Sequence, residues 1–349
     1  MVKDRAAILP YPGDPFLFNY WLKYFDSYWS QEIGKLYVYL NSTIEPEVVD
    51  YIRELCLRRP NINFTYNPQQ IEHGDAINRT LEIVEEKYVM LVEDDAFIFK
   101  RGAVDSAFSF LESGQYDIVG SKRGSCSQFI LDKAAEKWGL RYDGIGDQGC
   151  NFWPNYFFST RDLLLKTDRN FGARSWSVGE TIVGLDCPVE VGPVVGDTFV
   201  NTSIQLRALV PESRIKYLPQ YHAHPEDMTH YEHGQYLFDG VAPWTHIGSL
   251  SSGVGGLIRD NDNRPLARRT CLAPNGETKL ENAPTNDFER HEYERRVQWW
   301  LSFWENREPG KIDEFAGLYY TALMTIITQF GLSIKSIRLR QKAYATIGL

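Results

Sequence analysis

The stretch YVMLVEDDAFIF, residues 88–99, places two opposed demands side by side. Residues 88–92 are continuously apolar or aromatic, the pattern of a strand buried on both faces of a sheet. Glu93, Asp94 and Asp95 follow at once, and a second apolar run begins at Ala96. Three adjacent carboxylates repel one another and do not belong in a sheet interior. They fit the carboxyl end of a strand, where open α/β sheets bind their ligands.

The flanking sequence supports such a sheet. AAILPY (6–11), KLYVYL (35–40), NINFTY (61–66) and YDIVGS (116–121) read as further strands. Asp14-Pro15 opens a helix, with a capping residue followed by Pro at the first helical position. EPEVVDYIRELCLRR (45–59), GDAINRTLEIVEEK (74–87) and AVDSAFSFLES (103–113) have helical spacing, with Ala76, Leu81 and Val84 inward in the second. The alternation predicts an α/β fold, a mainly parallel sheet covered by helices on both faces. Further on, PNYFFSTRDLLLKT (154–167) reads as a strand turning into a helix, DTFVNTSIQLRALV (197–210) as a helix, and RIKYLPQYHAH (214–224) as a strand ending in histidines.

Residues 248–285 are rich in Gly, Ser, Asn, Pro and charge, and read as a long loop. Asn286 and Glu289 then form a capping-box pattern before the helix DFERHEYERRVQWWLSFWEN (287–306). The last segment, 314–342, has no charge between Phe315 and Ile334 and then four basic residues, Lys335, Arg338, Arg340 and Lys342. Thr321, Thr325 and Thr328 interrupt its apolar stripe, which favours an amphipathic helix over a membrane span. Packing on the body or on a homodimer partner, and peripheral attachment to a membrane surface, both fit that helix.

Composition excludes several classes. A net charge of −9 argues against a nucleic-acid-binding surface, which needs clustered positive charge. The five cysteines are scattered and contain no CxxC, so a disulfide scaffold or zinc site is not expected. Buried thiols of this kind suit a reducing compartment. The N-terminal residues lack the apolar core of a secretion signal, and the expected location is cytoplasmic.

Glu93 and Asp95 form an acid-x-acid pair that can turn two carboxylates to one side. Such hard oxygen ligands suit Mg2+ or Mn2+, which commonly bridge a carboxylate to substrate phosphates. A solvated turn, or a cap for the helix near residue 103, would account for the same letters.

HGDAINRTLEIVEEKYVMLVEDD resembles the stretch before the acidic motif of GT-A glycosyltransferases, above all the family-2-like, inverting group with an Asp-x-Asp-type motif. There a Gly and an Asn open a helix, and the next strand ends in an Asp-x-Asp variant. Gly74 and Asn78 stand in those places. The resemblance implies a metal-dependent transferase that moves one sugar from a nucleotide-diphosphate sugar to a hydroxyl acceptor, a glycan or glycolipid. It implies that Asp95 is a metal ligand, with Glu93, Asp94, Gly74 and Asn78 along the nucleotide sugar. The end of the first strand, Pro10 and Tyr11, and the Asn41 that ends the second would lie near the base or ribose; ordinary strand-end roles fit them as well.

The resemblance continues through GDTFVNTSIQLRALVPESRIKYLPQYHAH (196–224), similar to the family segment that carries the general base before a helix. Asp197 takes that place, with Asp186 and Glu180 as neighbouring alternatives and Gly196 where the family often has a second acid. A late His commonly completes the metal site, and six of the seven histidines lie between residues 222 and 291. His246, in WTHIGSLSSG, and His224 are the candidates, and the glycines and serines after His246 would let that loop close over the donor. Trp153, Trp176 and Trp244 could stack on an acceptor sugar, as Tyr156 could; core packing is the competing role for each. The family's processive synthases carry Gln-x-x-Arg-Trp, whereas RRVQWW (295–300) has those letters in another order, so single addition is expected.

The implied organisation is a GT-A domain over residues 1–250, with a nucleotide-sugar half to about 120 and an acceptor half beyond. A lid over 251–285 and a helical extension over 286–349 follow. A sugar-nucleotide pyrophosphorylase-like nucleotidyltransferase is the alternative enzyme, but PYPGDPF after the first strand lacks the basic residues that would hold a triphosphate. An inactive nucleotide-sugar-binding module is the third reading, and the retained acids and histidines count against it.

Overall fold

The computed structural model describes residues 2–13, 15–41, 46–122, 126–139 and 152–218, together with short strands at 220–221, 235–236, 244–246, 269–272 and 278–281. The chain alternates strand and helix as its apolar periodicity requires: β1 (Arg5–Tyr11), α1 (Pro15–Tyr24), β2 (Lys35–Asn41), α2 (Pro46–Leu57), β3 (Ile62–Asn67), α3 (His73–Ile83) and β4 (Tyr88–Leu91). Next come β5 (Ala96–Ile98), α4 (Ala103–Glu112), β6 (Ile118–Lys122), α5 (Gln128–Trp138), β7 (Phe152–Thr160) and α6 (Arg161–Leu164). β8 (Arg174–Trp176), β9 (Thr181–Ile182), β10 (Cys187–Pro188), β11 (Val194–Gly196), α7 (Val200–Leu209) and β12 (Ile215–Tyr217) complete the body.

Seven strands form the central sheet in the order β12-β6-β7-β4-β1-β2-β3. β1 pairs in parallel with β2 and β4, β2 with β3, and β6 with β12. β7 runs antiparallel between β4 and β6. The expected mainly parallel α/β sheet is therefore present, with one reversed strand, β7, third from one edge.

The sheet splits its side chains between two cores by simple alternation. Ala7, Leu9 and Tyr11 of β1 and Met90 of β4 face one core with α1, α2 and α4. Ala6, Ile8, Val89 and Leu91 face the other, against Ile77 and Leu81 of α3, Leu163 and Leu164 of α6 and Leu206 of α7. A strand with helices on both sides must be apolar at every position, which is why residues 88–92 read as one continuous run. Ala76, Leu81 and Val84, expected inward, are buried.

α7 is buried almost all round and yet polar at five positions, each with a partner. Asn201 donates to the carboxylate of Asp168 at 2.9 Å, Thr202 to the carbonyl of Asn170 at 3.0 Å, and Ser203 to the carbonyl of Phe199 at 2.7 Å. Gln205 accepts from the backbone of Asp168 at 2.8 Å, and Arg207 pairs with Glu212 at 2.8 Å. Such pairing is what makes a buried polar helix tolerable.

Three expectations change. The helix at 128–138 was not read in the sequence, although Ser127 precedes it, Ile130 and Ala134 give it a buried stripe, and Gly139 ends it in the left-handed region. α3 stops at Ile83, four residues short of the predicted end, as Val84 turns extended to enter the core. Within the stretch read as a long loop, Arg269–Leu272 and Thr278–Glu281 pair antiparallel. The Asn275-Gly276 step between them is a hairpin signal. The expected C-terminal helices, residues 286–349, lie outside the described residues, and among the described residues no helix is long and apolar enough to cross a membrane.

Candidate functional site

β4 ends in a tight turn. The backbone N–H of Val92 still donates to Ile8 of β1 at 3.1 Å, and the N–H of Ala96 then donates back to the carbonyl of Glu93 at 3.2 Å. Glu93 is half-buried, while Asp94 and Asp95 are 8% and 5% exposed. The three acids thus occupy the carboxyl edge of the sheet, where the sequence placed them. β5 leaves the turn and pairs antiparallel with Trp244–His246, with His246 opposite Ala96. The backbone of His246 is therefore set one position from Asp95. This pairing joins the acid turn to a segment about 150 residues away in sequence.

Asp197 arrives from the other direction, between β11 and α7. Its Oδ1 accepts from the Thr198 N–H at 2.8 Å, and its carbonyl accepts from the Val200 N–H at 3.1 Å, which closes a turn immediately before the helix. The residue keeps an accessible face, yet protein surrounds its carboxyl group closely enough for burial to raise its pKa above the ordinary value. The Thr198 N–H offsets part of that rise, the negative charge of Glu93 adds to it, and His73 lowers it again. Asp197, Glu93 and His73 therefore share one electrostatic neighbourhood, assembled from α7, β4 and α3.

The local backbone explains how. Phe199 lies in the left-handed region at φ 70°, which is rare for a bulky side chain. It is held there by its N–H donating to the carbonyl of Phe171 at 2.8 Å, and by its ring, stacked on Phe171 at 5.9 Å and edge-on to Phe157 at 4.8 Å. The neighbouring Gly172 packs against the first turn of α3. A Cβ on Gly74 would meet the Gly172 Cα and the Phe171 carbonyl carbon at 2.6 Å, so only glycine lets the two backbones touch. Glu72 caps α3 by accepting from the Gly74 N–H at 2.6 Å. These contacts tie the start of α3, and His73 with it, to the chain that carries Asp197.

The other candidates fall in varied places. Asn41 exchanges two hydrogen bonds with the backbone of Ile71, at 2.8 and 2.9 Å, and so fastens the loop before α3 to the end of β2. Asn78 is half-buried, with a buried side-chain oxygen that finds no hydrogen-bond partner among the described residues. Pro10 is buried in β1. Tyr11 is fully buried, its ring against Phe18 at 4.7 Å, and Trp176 is fully buried beneath the guanidinium of Arg174 at 5.2 Å. Tyr156 is fully buried too and packs on Phe158 at 4.8 Å. These three rings offer a ligand no open face, because each completes a core cluster.

Trp153 lies on β7, Trp244 is on the strand beside β5, and His224 falls outside the described residues. Of the alternatives to Asp197, Asp186 pairs with Lys137 at 2.5 Å, which lowers its pKa, and Glu180 accepts from the backbone of Ser177 within its own turn. His73 is the residue the sequence reading passed over, although it directly precedes Gly74. Among the described residues no three His, Cys, Asp or Glu side chains are assembled as a ready metal cage.

No protein-family model matches the chain, and no curated protein matches it in sequence. Among solved structures it is similar to S. aureus TarS 1-349, at 15% identity and a TM-score of 0.33, over 46% of this chain and 48% of that one. The same protein in complex with UDP-GlcNAc gives 14% and 0.33, over 46% of each chain. The mannosyltransferase PcManGT from Pyrobaculum calidifontis, in complex with GDP-Man and Mn2+, gives 12% and 0.36, over 54% of this chain and 55% of that one. The chain thus spans about half the length of the solved structures it matches. Likeness this partial leaves the functional reading to the chain's own residues.

Proposed function

We propose that the chain is a metal-dependent, inverting glycosyltransferase of the GT-A kind, which moves one sugar from a nucleotide-diphosphate sugar to a hydroxyl of a glycan or glycolipid. The observation that carries this reading is the convergence of Asp197 and Glu93 at the carboxyl edge of the sheet, although they lie about 100 residues apart in sequence. The resemblance of residues 73–95 and 196–224 to the inverting group supports it.

The donor set fits a hard divalent cation. Asp95, with Asp94 and Glu93 in the same turn, offers oxygen ligands, and the strand pairing brings His246 to the neighbouring position. Mg2+ is commonly held by one or two carboxylates plus substrate phosphates rather than by a complete protein cage, and Mn2+ accepts imidazole as well. A bound Mn2+ or Mg2+ would supply positive charge to the leaving diphosphate.

The chain's own residues do the rest. Asp197 takes the proton of the acceptor hydroxyl as its oxygen attacks the anomeric carbon and the bond from that carbon to the diphosphate oxygen breaks. A carboxylate with a raised pKa is a stronger base than an ordinary one, which suits this role. The transition state at the sugar is oxocarbenium-like, so the negative charge of Asp197 also favours it electrostatically.

The test is calorimetric titration of the full chain with UDP-, GDP- and dTDP-sugars, with and without Mn2+. At least one should bind, and bind more tightly with metal. If none binds under either condition, the reading is wrong.

A further inference from the structure

The chain puts a histidine where a helix start does not call for one. His73 is the first residue of α3, and Glu72 already caps that helix by accepting from the Gly74 N–H at 2.6 Å. The positive end of a helix dipole disfavours a cationic side chain in its first turn, so the helix gains nothing from an imidazole there. The ring is half-buried, and among the described residues no hydrogen bond or ion pair engages it.

Its backbone is nonetheless held on both sides. Asn41 exchanges hydrogen bonds of 2.8 and 2.9 Å with Ile71, two residues before it. Gly74, directly after it, lies so close to the 171–172 backbone that a Cβ there would meet the Gly172 Cα at 2.6 Å. Phe171 in turn accepts from the Phe199 N–H at 2.8 Å, and Phe199 is two residues from Asp197. His73 and Asp197 therefore flank one junction between α3 and the chain that enters α7. The two feel one another electrostatically, with Glu93 in the same neighbourhood, yet no hydrogen bond or ion pair joins the imidazole to the carboxylate. Among the described residues only Oδ1 of Asp197 is engaged, by the Thr198 N–H.

Both side chains also keep solvent access. An imidazole and a carboxylate that are near, accessible and not bonded to each other leave a place for a group between them. An ionised carboxylate only accepts, whereas a neutral imidazole carries one donor and one acceptor. A saccharide hydroxyl both donates and accepts, so it can serve either group, while an anion would be repelled by Asp197 and Glu93. Trp176, expected to stack on the acceptor, is instead fully buried, which leaves that role open. We propose that His73 is an acceptor-binding residue, whose ring hydrogen-bonds a hydroxyl of an incoming neutral saccharide and holds that sugar against Asp197 from the α3 side. The proposal rests on the glycosyl-transfer reading and adds to it a residue that recognises the acceptor.

The experiment compares the full wild-type chain with His73→Ala and His73→Gln. Each is titrated with UDP-glucose, UDP-GlcNAc and GDP-mannose in Mn2+, and its melting temperature is measured. With the donor that binds best, transfer to the methyl glycosides of glucose, galactose, mannose and N-acetylglucosamine is followed beside hydrolysis by water. Donor affinity and melting temperature should match the wild type, because the ring has no protein bond to lose. In His73→Ala, kcat/KM for the best saccharide should fall about tenfold, chiefly through KM, as the loss of one hydrogen bond to the acceptor requires. Donor hydrolysis should fall less. His73→Gln, which keeps a donor and an acceptor, should recover part of the loss. Unchanged saccharide kinetics in His73→Ala overturn the proposal and leave the transferase reading standing. Equal falls in hydrolysis and transfer also overturn it, since they place the effect on Asp197, as do weaker donor binding or a lower melting temperature in both variants. A wild type that binds a nucleotide sugar but glycosylates none of these saccharides overturns it as well. Failure of the wild type to bind any nucleotide sugar overturns the transferase reading, and this proposal with it.

Discussion

Gly74→Ala should destabilise the protein even though alanine is the better helix former. Alanine within a helix gains about 1 kcal/mol over glycine, and less than that applies in the first turn of α3. Against it stands the contact with the 171–172 backbone. Carbon atoms settle about 3.5–4.0 Å apart, whereas the new methyl would lie 2.6 Å from the Gly172 Cα and from the Phe171 carbonyl carbon. The neighbour is backbone, with the Gly172 nitrogen closer still, so no side chain can swing aside, and the two segments must part by more than about 1 Å. That separation is resisted by the Phe171 carbonyl bonded to Phe199, by the stacked rings of those residues, and by the Asn170 carbonyl bonded to Thr202. Overpacking of this kind costs about 1–3 kcal/mol, and contact with backbone puts it at the upper end. A net loss of about 2 kcal/mol follows from these two magnitudes. Urea denaturation should show a lower midpoint at unchanged slope. Gly172→Ala supplies an internal check, since its methyl would meet the Glu72 carboxylate carbon at 2.6 Å and disturb the cap on α3. It should cost less in a Glu72→Ala background, where the obstacle is gone. A Gly74→Ala protein as stable as the wild type would refute the argument that this glycine exists to join α3 to the chain that carries Asp197.

The remaining predictions concern charge. Asp197→Asn should abolish transfer, spare donor binding and raise thermal stability at pH 7. The folded pKa of Asp197 is raised, so its charged form costs stability above that pKa and costs nothing below the unfolded value of 3.8. The stabilisation should therefore disappear in melts below that pH, and an equal gain there would contradict the assignment. Asp95→Ala should remove the Mn2+ dependence of donor binding in calorimetry, and retention of that dependence would move the metal elsewhere. Arg5→Met should cost about 3 kcal/mol, the low end for breaking a buried ion pair because Glu112 keeps a solvent face. Arg5 is buried and holds Glu112 through two 2.7 Å bonds, which lowers the Glu112 pKa to about 2. The stability that Glu112 contributes is present above its ordinary value of 4.5 and is lost as pH falls toward 2. That acid-side slope should flatten in the variant, as measured by urea midpoints between pH 5 and 2.

Local pattern carried a good part of the architecture. Residues 6–11 and 88–92 are apolar at every position because both faces of their strands are covered, and that is visible without any partner. α3 announced its buried stripe through Ala76 and Leu81. α5 and the hairpin at 269–281 had readable signals as well, in Ser127 with Gly139 and in Asn275-Gly276, but polar flanks masked them. The direction of β7 had none. FFST pairs equally well either way, and only its neighbours β4 and β6 settle that it runs antiparallel.

The candidate site divides along the same line. Residue chemistry and strand order together put Glu93, Asp94 and Asp95 at the carboxyl edge of the sheet, because like charges next to one another cannot be packed inside it. Aromatic identity, in contrast, says nothing about which way a ring faces. Tyr11, Tyr156 and Trp176 turned inward because space in the cores had to be filled. Asn41 spends its amide on the backbone of Ile71, a partner about 30 residues away. That Asp197 feels Glu93 and His73 and that His246 pairs beside Asp95 are long-range facts. By itself the sequence determined the chemistry available and the edge where it gathers. The tertiary structure decided which groups meet there, since proximity between distant segments is set by packing and pairing that no local pattern encodes.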